Sequence, residues 1–543
     1  MPREVTGVKK NIRVFLVLLA AGIALYAAVI DTFFVSDDFD WLVSGDISIF
    51  FRPLTRLSFI ANYAIGGLHP LSYHAVNLLL HVLSAYLLFL LIPILLSYFN
   101  IELEEHSSRR VSFFCALFFL LLSAHSETVT WISGRTNLLT MVFLQLSLLT
   151  YIRSRSSGEN KFLALALGSF MLALLSKEAA LPFPLIILCL DFFKKLADRQ
   201  KPVPGFHVVS FFLVLAVYFG IRYMAMGQLL GAYHGDIFNP QLILANFRKF
   251  MLRSFLPTGN YLFFIMKYKL DLILAGLLGF FLWKQKKNFL FYCFLISGYV
   301  IMLAPVLNLN ISLEYTFNER FIYLSSAYGA TLLVLLFVLP DRKKKTWIIV
   351  LVMLSAVNIF GLFRTHTNWI KAAMISKSLL DSFKEVSPPY GEVDTGKEMH
   401  RFPVILNLPD SINGAYIFRR GFTSAIQLFQ GWNVKEKIHV VATHTLKNLG
   451  DTVIAVNQGE GNYFLDIKKN RFVQSPVPSL APYYKVKNPN PHQMQLIINK
   501  PYRDRPVLYY SNTRLEVVLN ESTPGGFAEK INRAFLTPGF PTY

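Results

Sequence analysis

Residues 12–30, IRVFLVLLAAGIALYAAVI, are followed at once by 31–42, DTFFVSDDFDWL. The first stretch carries one charge, Arg13, and is long enough to cross a bilayer as a helix, which takes ~20 residues at ~1.5 Å each. Beyond Asp31, the second puts two adjacent carboxylates, Asp37 and Asp38, and a further one, Asp40, just past the apolar run. A basic start before an apolar run also describes a cleaved signal peptide. Here the run is long and VIDTFF offers no small-residue cleavage site, so an uncleaved first helix is expected.

The whole chain has the same character. Of 543 residues, 54% are hydrophobic and 16% charged, and mean hydropathy is +0.43. That excludes one ordinary soluble domain and indicates a polytopic α-helical membrane protein. Further apolar runs at 72–98, 111–124, 137–152, 161–176, 180–193, 206–224, 261–283, 289–307, 321–339 and 346–363 bring the expected spans to about eleven. The net charge is +20, but the basic residues gather in the gaps between runs: Lys9, Lys10 and Arg13; Arg109 and Arg110; Arg153 and Arg155; Lys194, Lys195, Arg199 and Lys201; Lys284, Lys286 and Lys287; Arg342 to Lys345. A cytoplasmic N-terminus with eleven spans puts all of these gaps on the cytoplasmic side, as the positive-inside rule asks. This is bilayer patterning, and it excludes a nucleic-acid partner. The three cysteines lie inside apolar runs, with neither disulfide nor metal-ligand spacing.

The same orientation sends a second set of charges to the non-cytoplasmic face. These are Asp37, Asp38, Arg52, Arg56, His125, Glu127, Arg135, Lys177, Glu178, Glu314, Glu319 and Arg320. Basic residues on that face run against the trend. Arg52 and Arg56, four apart on an expected interfacial helix, would join Arg135, Lys177 and Arg320 around an anionic head group. A lipid-linked phosphate needs that arrangement, because its tail stays in the bilayer while its phosphate lies at the interface. The competing reading is snorkelling, or pairing with Glu127, Glu178 and Glu319. Snorkelling accounts for Lys267 and Lys269. It fits SKEAALP (176–182) less well, because a charged pair between two short spans suggests a bent hairpin opening on a polar cavity.

Asp37 and Asp38 fit a general base for a hydroxyl nucleophile; they equally fit a solvated loop or a helix N-cap. His74, Asn77 and His81 share one helix face, suited to interhelical hydrogen bonds or to a substrate. Two histidines two turns apart do not make a metal site.

From about 365 the chain is polar, with 21 Lys and Arg against 14 Asp and Glu. A helix at 367–386 is expected, followed by β-type runs FPVILNL, GAYIF, KIHVVATHTL, TVIAVN, MQLIINK and VLYYSN between Pro, Gly and Asn. RDRPVLYYSN (503–512) reads as a sheet strand or a contact strand. The expected organisation is a membrane domain over 1–364 and a soluble, non-cytoplasmic, β-rich α/β domain over 365–543. No GxGxxG, P-loop or 34-residue helical repeat is present.

RPLTRLSFIANYAIGGLHPLSYHAVNLLLH resembles the second-helix region of the transmembrane and tetratricopeptide-repeat-containing O-mannosyltransferases. AHSETVTWISGRTNLLTMVFLQLSLLTYIR, LLSKEAALPFPLIILCLD, NERFIYLSSAYGA and FRTHTNWI are similar to later segments of that family in the same order, and FVSDDFDWL sits where it has an Asp pair. The resemblance covers about 30–370 and extends to the broader GT-C superfamily. It implies a polytopic glycosyltransferase using a polyprenyl-phosphate hexose, with mannose first among sugars. Asp37 or Asp38 would be the base, and Arg52, Arg135, Lys177 and Arg320 would bind the donor phosphate. Arg56, His74, Asn77, Glu127, Glu178 and Glu319 would line the cavity. The expected partners are the lipid-linked sugar, the bilayer, and an acceptor that is a protein, lipid or glycan. A divalent metal on the Asp pair lacks a full ligand set, and no cofactor is assigned. The family's repeats are replaced here by the β-rich tail, a layout closer to repeat-free prokaryotic relatives and to a bacterial plasma membrane; in a eukaryote it would be the endoplasmic reticulum membrane. The alternative is a transporter or flippase for a lipid-linked saccharide, but no inverted repeat is visible and the charges gather at one face instead of the midplane.

Overall fold

A computed structural model describes residues 2–43, 50–200, 205–229, 239–339, 346–386, 403–431, 438–447, 453–459, 462–467, 472–473, 484–490, 492–498, 507–511 and 513–517. The chain divides into Met1–Thr32 with Ser44–Ile370, and Phe33–Val43 with Lys371–Tyr543. The second unit thus takes in the segment carrying the Asp pair, which the expected boundary at 364/365 left with the membrane part.

Along the chain the first helices are α1 (Pro2–Tyr26), α2 (Asp38–Val43, in the second unit), α3 (Pro53–Gly66), α4 (Pro70–Tyr98), α5 (Glu105–Leu121) and α6 (Ser126–Thr130). They continue with α7 (Arg135–Ser157), α8 (Asn160–Ser176), α9 (Phe183–Ala197), α10 (Phe206–Met226), α11 (Pro240–Phe255), α12 (Tyr261–Lys267) and α13 (Leu270–Lys284). Last come α14 (Phe289–Leu303), α15 (Tyr323–Val338), α16 (Thr346–Val386) and α17 (Phe422–Gln430). Pro53 and Pro70 begin α3 and α4, where a missing N–H costs nothing, and Gly158 in the left-handed region ends α7. In the first unit α4 is central, packing on α1, α5 and α7; α8 packs on α7 and α10, and α14 on α9 and α15. Leu16, Val17, Leu213, Val217, Val352 and Met353 remain more than half exposed, an outer face that suits lipid and not water.

Among the described residues, five helices are long and apolar enough to cross a membrane: Asn11–Val29, Pro70–Tyr98, Phe206–Met226, Lys286–Val306 and Ile348–Glu385. The pair Glu105–Leu121 and Ser123–Thr130, bent by 55°, brings the number to six. Asn160–Ser176, Leu270–Phe280 and Tyr323–Val338 are apolar but shorter, so a full set of eleven spans is not reached. Three expectations change. The 261–283 run is two helices, broken where Lys269 takes a positive φ of 56°. Residues 225–260, between the expected spans 206–224 and 261–283, contain α11, whose start is capped by Asn239 accepting from the Leu242 N–H at 3.1 Å. The span at 346–363 and the helix at 367–386 are one helix, since nothing between Gly361 and Pro388 breaks it.

The second unit carries two sheets. Strands β1 (Val404–Ile412), β2 (Ala415–Tyr416), β3 (His439–Leu446), β4 (Val453–Gly459) and β5 (Asn462–Ile467) are followed by β6 (Phe472–Val473), β7 (Tyr484–Asn490), β8 (Gln493–Ile498), β9 (Val507–Ser511) and β10 (Arg514–Val517). The mixed sheet runs β10-β9-β1-β3-β6, with β2 paired to β1; β1 is parallel to both β3 and β9. The other, β4-β5-β8-β7, is antiparallel, and the alternating burial of β5 and β8 turns Leu465, Ile467, Leu496 and Ile498 into the core. The described part of 503–512 is the sheet strand β9.

Candidate functional site

In the first unit, polar side chains meet around the junction of two expected spans, 111–124 and 137–152. Every residue from 118 to 138 is buried. Backbone polarity at that depth must be satisfied internally. Asn77 does part of this, and Arg135, fully buried, holds it in place. Its Nε donates to Asn77 Oδ1 at 2.9 Å, Nη2 donates to Asn62 Oδ1 at 2.7 Å and to the Tyr73 carbonyl at 3.0 Å, and Nη1 donates to the Ser58 carbonyl at 3.3 Å. The guanidinium also lies 4.4 Å over the Phe59 ring. Asn77 Nδ2 in turn donates to the carbonyls of Trp131 and Ile132 at 3.2 and 3.1 Å. Gly134 permits the tight return, because a Cβ there would lie 2.1 Å from the Thr128 carbonyl oxygen. Arg135 and Asn77, assigned from sequence to the phosphate and the cavity, are therefore engaged in bracing this turn against α3 and α4.

The remaining cations form a cluster. Arg52 caps the start of α3 and makes a two-pronged ion pair with Glu178, its Nε donating to Oε2 at 2.9 Å and its Nη2 to Oε1. Lys177 has extended backbone, φ −163°, which ends α8 and separates it from α9. Its Nζ donates to Asn137 Oδ1 at 2.8 Å and stands 5.6 Å from the Phe321 ring centre. Arg320 pairs with Glu127 through its guanidinium and also donates its backbone N–H to Glu127 Oε2 at 3.3 Å. Its guanidinium lies 5.3 Å over Trp131 and 4.6 Å over Phe321. Lys177 feels the charges of all four others. Three basic side chains thus face two carboxylates, in surroundings where a Coulomb interaction is stronger than in water.

The electrostatics follow from burial. Glu178 is pushed up by burial, the largest single influence. The Arg52 charge and hydrogen bonds, with the Lys177 charge, together outweigh it and hold the carboxyl at about 2. Burial, then the like charge of Arg52, pushes Lys177 well below the lysine range despite Glu178 and Glu127.

Other expected cavity residues are placed elsewhere. Glu319 is fully buried and pairs with Arg253 of α11, which is also fully buried. Arg253 went unnoticed in the sequence, although Asn239-Pro240 before an apolar periodic run is a helix-start signal. His74 Nε2 lies 2.9 Å from the Thr32 carbonyl, and His81 Nδ1 lies 2.9 Å from the Tyr323 hydroxyl, so both serve contacts between segments. Arg56 lies in the first turn of α3, half-buried. Among the described residues, no group of three or more His, Cys, Asp or Glu is disposed to hold a metal.

In the second unit the Asp pair sits on a sharp turn. Ser36 has φ 50°, left-handed and unusual for serine. Its N–H donates to the Ile417 carbonyl at 2.7 Å, and its Oγ accepts from the Arg420 N–H at 3.3 Å. Phe34 and Phe39, both fully buried, anchor the two flanks; Phe39 stacks on Phe418 at 5.6 Å. Asp37 stands at the N-cap of α2, its carbonyl accepting from the Trp41 N–H at 3.2 Å. The two carboxylates then differ. Asp38 is 1% exposed, and its Oδ2 accepts from the Val35 N–H at 3.1 Å. Asp37 is half-exposed, and its Oδ1 accepts from Ser36 Oγ at 3.2 Å. Asp40 accepts from Ser424 Oγ at 2.5 Å; burial raises its carboxyl and that hydrogen bond opposes the rise.

No family model matches the chain. Protein O-mannosyl-transferase Tmtc1 of Drosophila melanogaster is 35% identical over 152 residues, 28% of this chain and 16% of that protein. Protein O-mannosyl-transferase TMTC4 of Mus musculus is 36% identical over 115 residues, 20% of this chain and 16% of that protein. A protein O-mannosyl-transferase of Caenorhabditis elegans is 26% identical over 228 residues, 37% of this chain and 31% of that protein. The chain thus spans less than a third of the length of these relatives. Among solved structures, ArnT from Cupriavidus metallidurans bound to undecaprenyl phosphate aligns over 89% of this chain and 97% of its own, with 10% identity and a TM-score of 0.43. A likeness of that degree carries no functional weight.

Proposed function

We propose that the chain is an inverting glycosyltransferase that moves a hexose, mannose first, from a polyprenyl-phosphate carrier to an acceptor hydroxyl on the non-cytoplasmic side of a membrane. The observation that carries this reading is the largely buried Arg52–Glu178–Lys177–Glu127–Arg320 cluster, three basic side chains against two carboxylates, in a unit of apolar helices. The similarity to proteins named O-mannosyl-transferases supports the chemistry and the sugar.

Asp37 takes the role of base and Asp38 that of the buried partner that fixes the turn. The acceptor hydroxyl gives its proton to Asp37 and attacks C1 of the sugar. The C1–O bond to phosphate breaks with inversion at C1, and the polyprenyl phosphate leaves with the bonding electron pair. Arg320, Lys177 and Arg52 stabilise the charge that grows on it. A phosphate monoester leaves without a general acid. Arg135 is reassigned from phosphate contact to brace. A bacterial plasma membrane, a cytoplasmic N-terminus and a non-cytoplasmic second unit belong to the same proposal.

The test is transfer by purified protein from a panel of polyprenyl-phosphate sugars to a membrane-protein extract. Sugar appearing on protein, lipid or glycan names the acceptor class. Movement of the intact lipid-linked saccharide across proteoliposomes without transfer would replace this reading with that of a flippase.

A further inference from the structure

We infer that Ser36 is the positioning residue for Asp37 and that residues 417–421 of the second unit set it in place. This rests on the reading of Asp37 as base and concerns how that base is aimed. A serine at φ 50° occupies a conformation that glycine or asparagine takes more readily, so a turn alone does not call for it. What serine adds is a hydroxyl with a forced direction. The Arg420 N–H points at Ser36 Oγ, at 3.3 Å, and takes one lone pair. The hydroxyl proton is then free for Asp37 Oδ1, at 3.2 Å. A backbone donor of the second unit is thereby relayed through Oγ to the carboxylate.

The strained turn is held on several sides, as strained functional conformations must be. The Ser36 N–H is tied to the Ile417 carbonyl at 2.7 Å, and the Phe34 carbonyl accepts from Ser376 Oγ at 2.9 Å. Gly421 closes the other side. Its φ is +78°, and a Cβ there would lie 2.2 Å from the Ser36 carbonyl oxygen. On this account the β-rich unit is part of the catalytic apparatus: it holds the base at one rotation while the hydroxyl nucleophile is presented.

Ser36→Gly separates aiming from folding, because glycine suits this backbone and its substitution removes only the hydroxymethyl group. With a polyprenyl-phosphate mannose donor and a membrane-protein extract, the expected result is kcat lower by about tenfold or more, the rate equivalent of one hydrogen bond to a charged group. KM for the donor should stay at the wild-type value and the melting temperature at or above it. Gly421→Ala, which displaces the turn from the opposite side and strains a φ of +78°, should lower the melting temperature and also kcat per folded molecule. Wild-type kcat in Ser36→Gly, with Asp37→Asn silent, would overturn the role of Ser36. Wild-type transfer by Asp37→Asn would instead overturn the reading beneath it. A fall in kcat matched by loss of folded protein would make Ser36 a structural residue and also overturn the inference.

Discussion

The Arg52–Glu178 pair gives a prediction with a number. Glu178 is held at about 2, against an ordinary value of 4.5. Its side chain is 22% exposed and that of Arg52 8%, so solvent screening is slight. A depression of that size corresponds to about 3 kcal/mol of differential stabilisation of the charged carboxylate in the folded state. The carboxyl is depressed on folding, so its contribution is complete above the unfolded value and disappears as pH falls from 4.5 through about 2. Glu178→Gln keeps the shape and one acceptor but leaves Arg52 without its countercharge. The unfolding free energy in mixed micelles should drop by about 3 kcal/mol at pH 7, and the gap to wild type should narrow below pH 4.5 and close towards pH 2. A gap that stays constant from pH 7 to pH 3 would mean that the loss comes from packing and not from charge. A gap within about 1 kcal/mol at pH 7 would reduce the pair to surface grade and remove the basis for a preorganised anion cluster.

Two further outcomes follow from the same unit. Asn77→Ala leaves the buried Arg135 Nε and two loop carbonyls without their partner, so stability should fall by about 3 kcal/mol, with proteolysis increasing within 123–134; an unchanged cleavage pattern would refute the bracing role. Lys177 is the basic side chain in excess over Glu178 and Glu127, so Lys177→Gln should weaken binding of undecaprenyl phosphate about tenfold or more, the equivalent of one hydrogen bond to a charged group. Equal affinities of wild type and Lys177→Gln in calorimetry would refute it.

Part of this was legible in the sequence because the signals are local. Length and apolarity mark α1, α4, α10, α14 and the membrane half of α16, and β-type runs mark β1, β3, β4, β8 and β9. The cations Arg52, Lys177 and Arg320 stand out because they break the positive-inside trend. Arg52 pairs with Glu178 and Arg320 with Glu127, whereas Lys177 is held by Asn137. What stayed hidden depends on distant parts of the chain. Residues 124–137 fall between two expected spans, yet they form a buried turn whose carbonyls Asn77 satisfies and which Arg135 braces. The left-handed Ser36 carries no glycine or asparagine signal; it is imposed by Ile417 and Arg420, some 380 positions on. For the same reason the membership of Phe33–Val43 in the second unit left no trace near position 37. The difference between Asp37 and Asp38, identical as letters, arises only when the turn buries one and leaves the other half-exposed.

The most direct measurement compares Asp37→Asn with Asp38→Asn in sugar transfer from polyprenyl-phosphate mannose, with folded protein and donor binding checked for each. A base contributes ~10²–10⁴-fold, so Asp37→Asn should lose that much of kcat while binding donor normally. Asp38→Asn, which keeps an oxygen to accept from the Val35 N–H, should lose far less. Transfer at the wild-type rate by Asp37→Asn, or the reverse order of the two variants, would contradict the account.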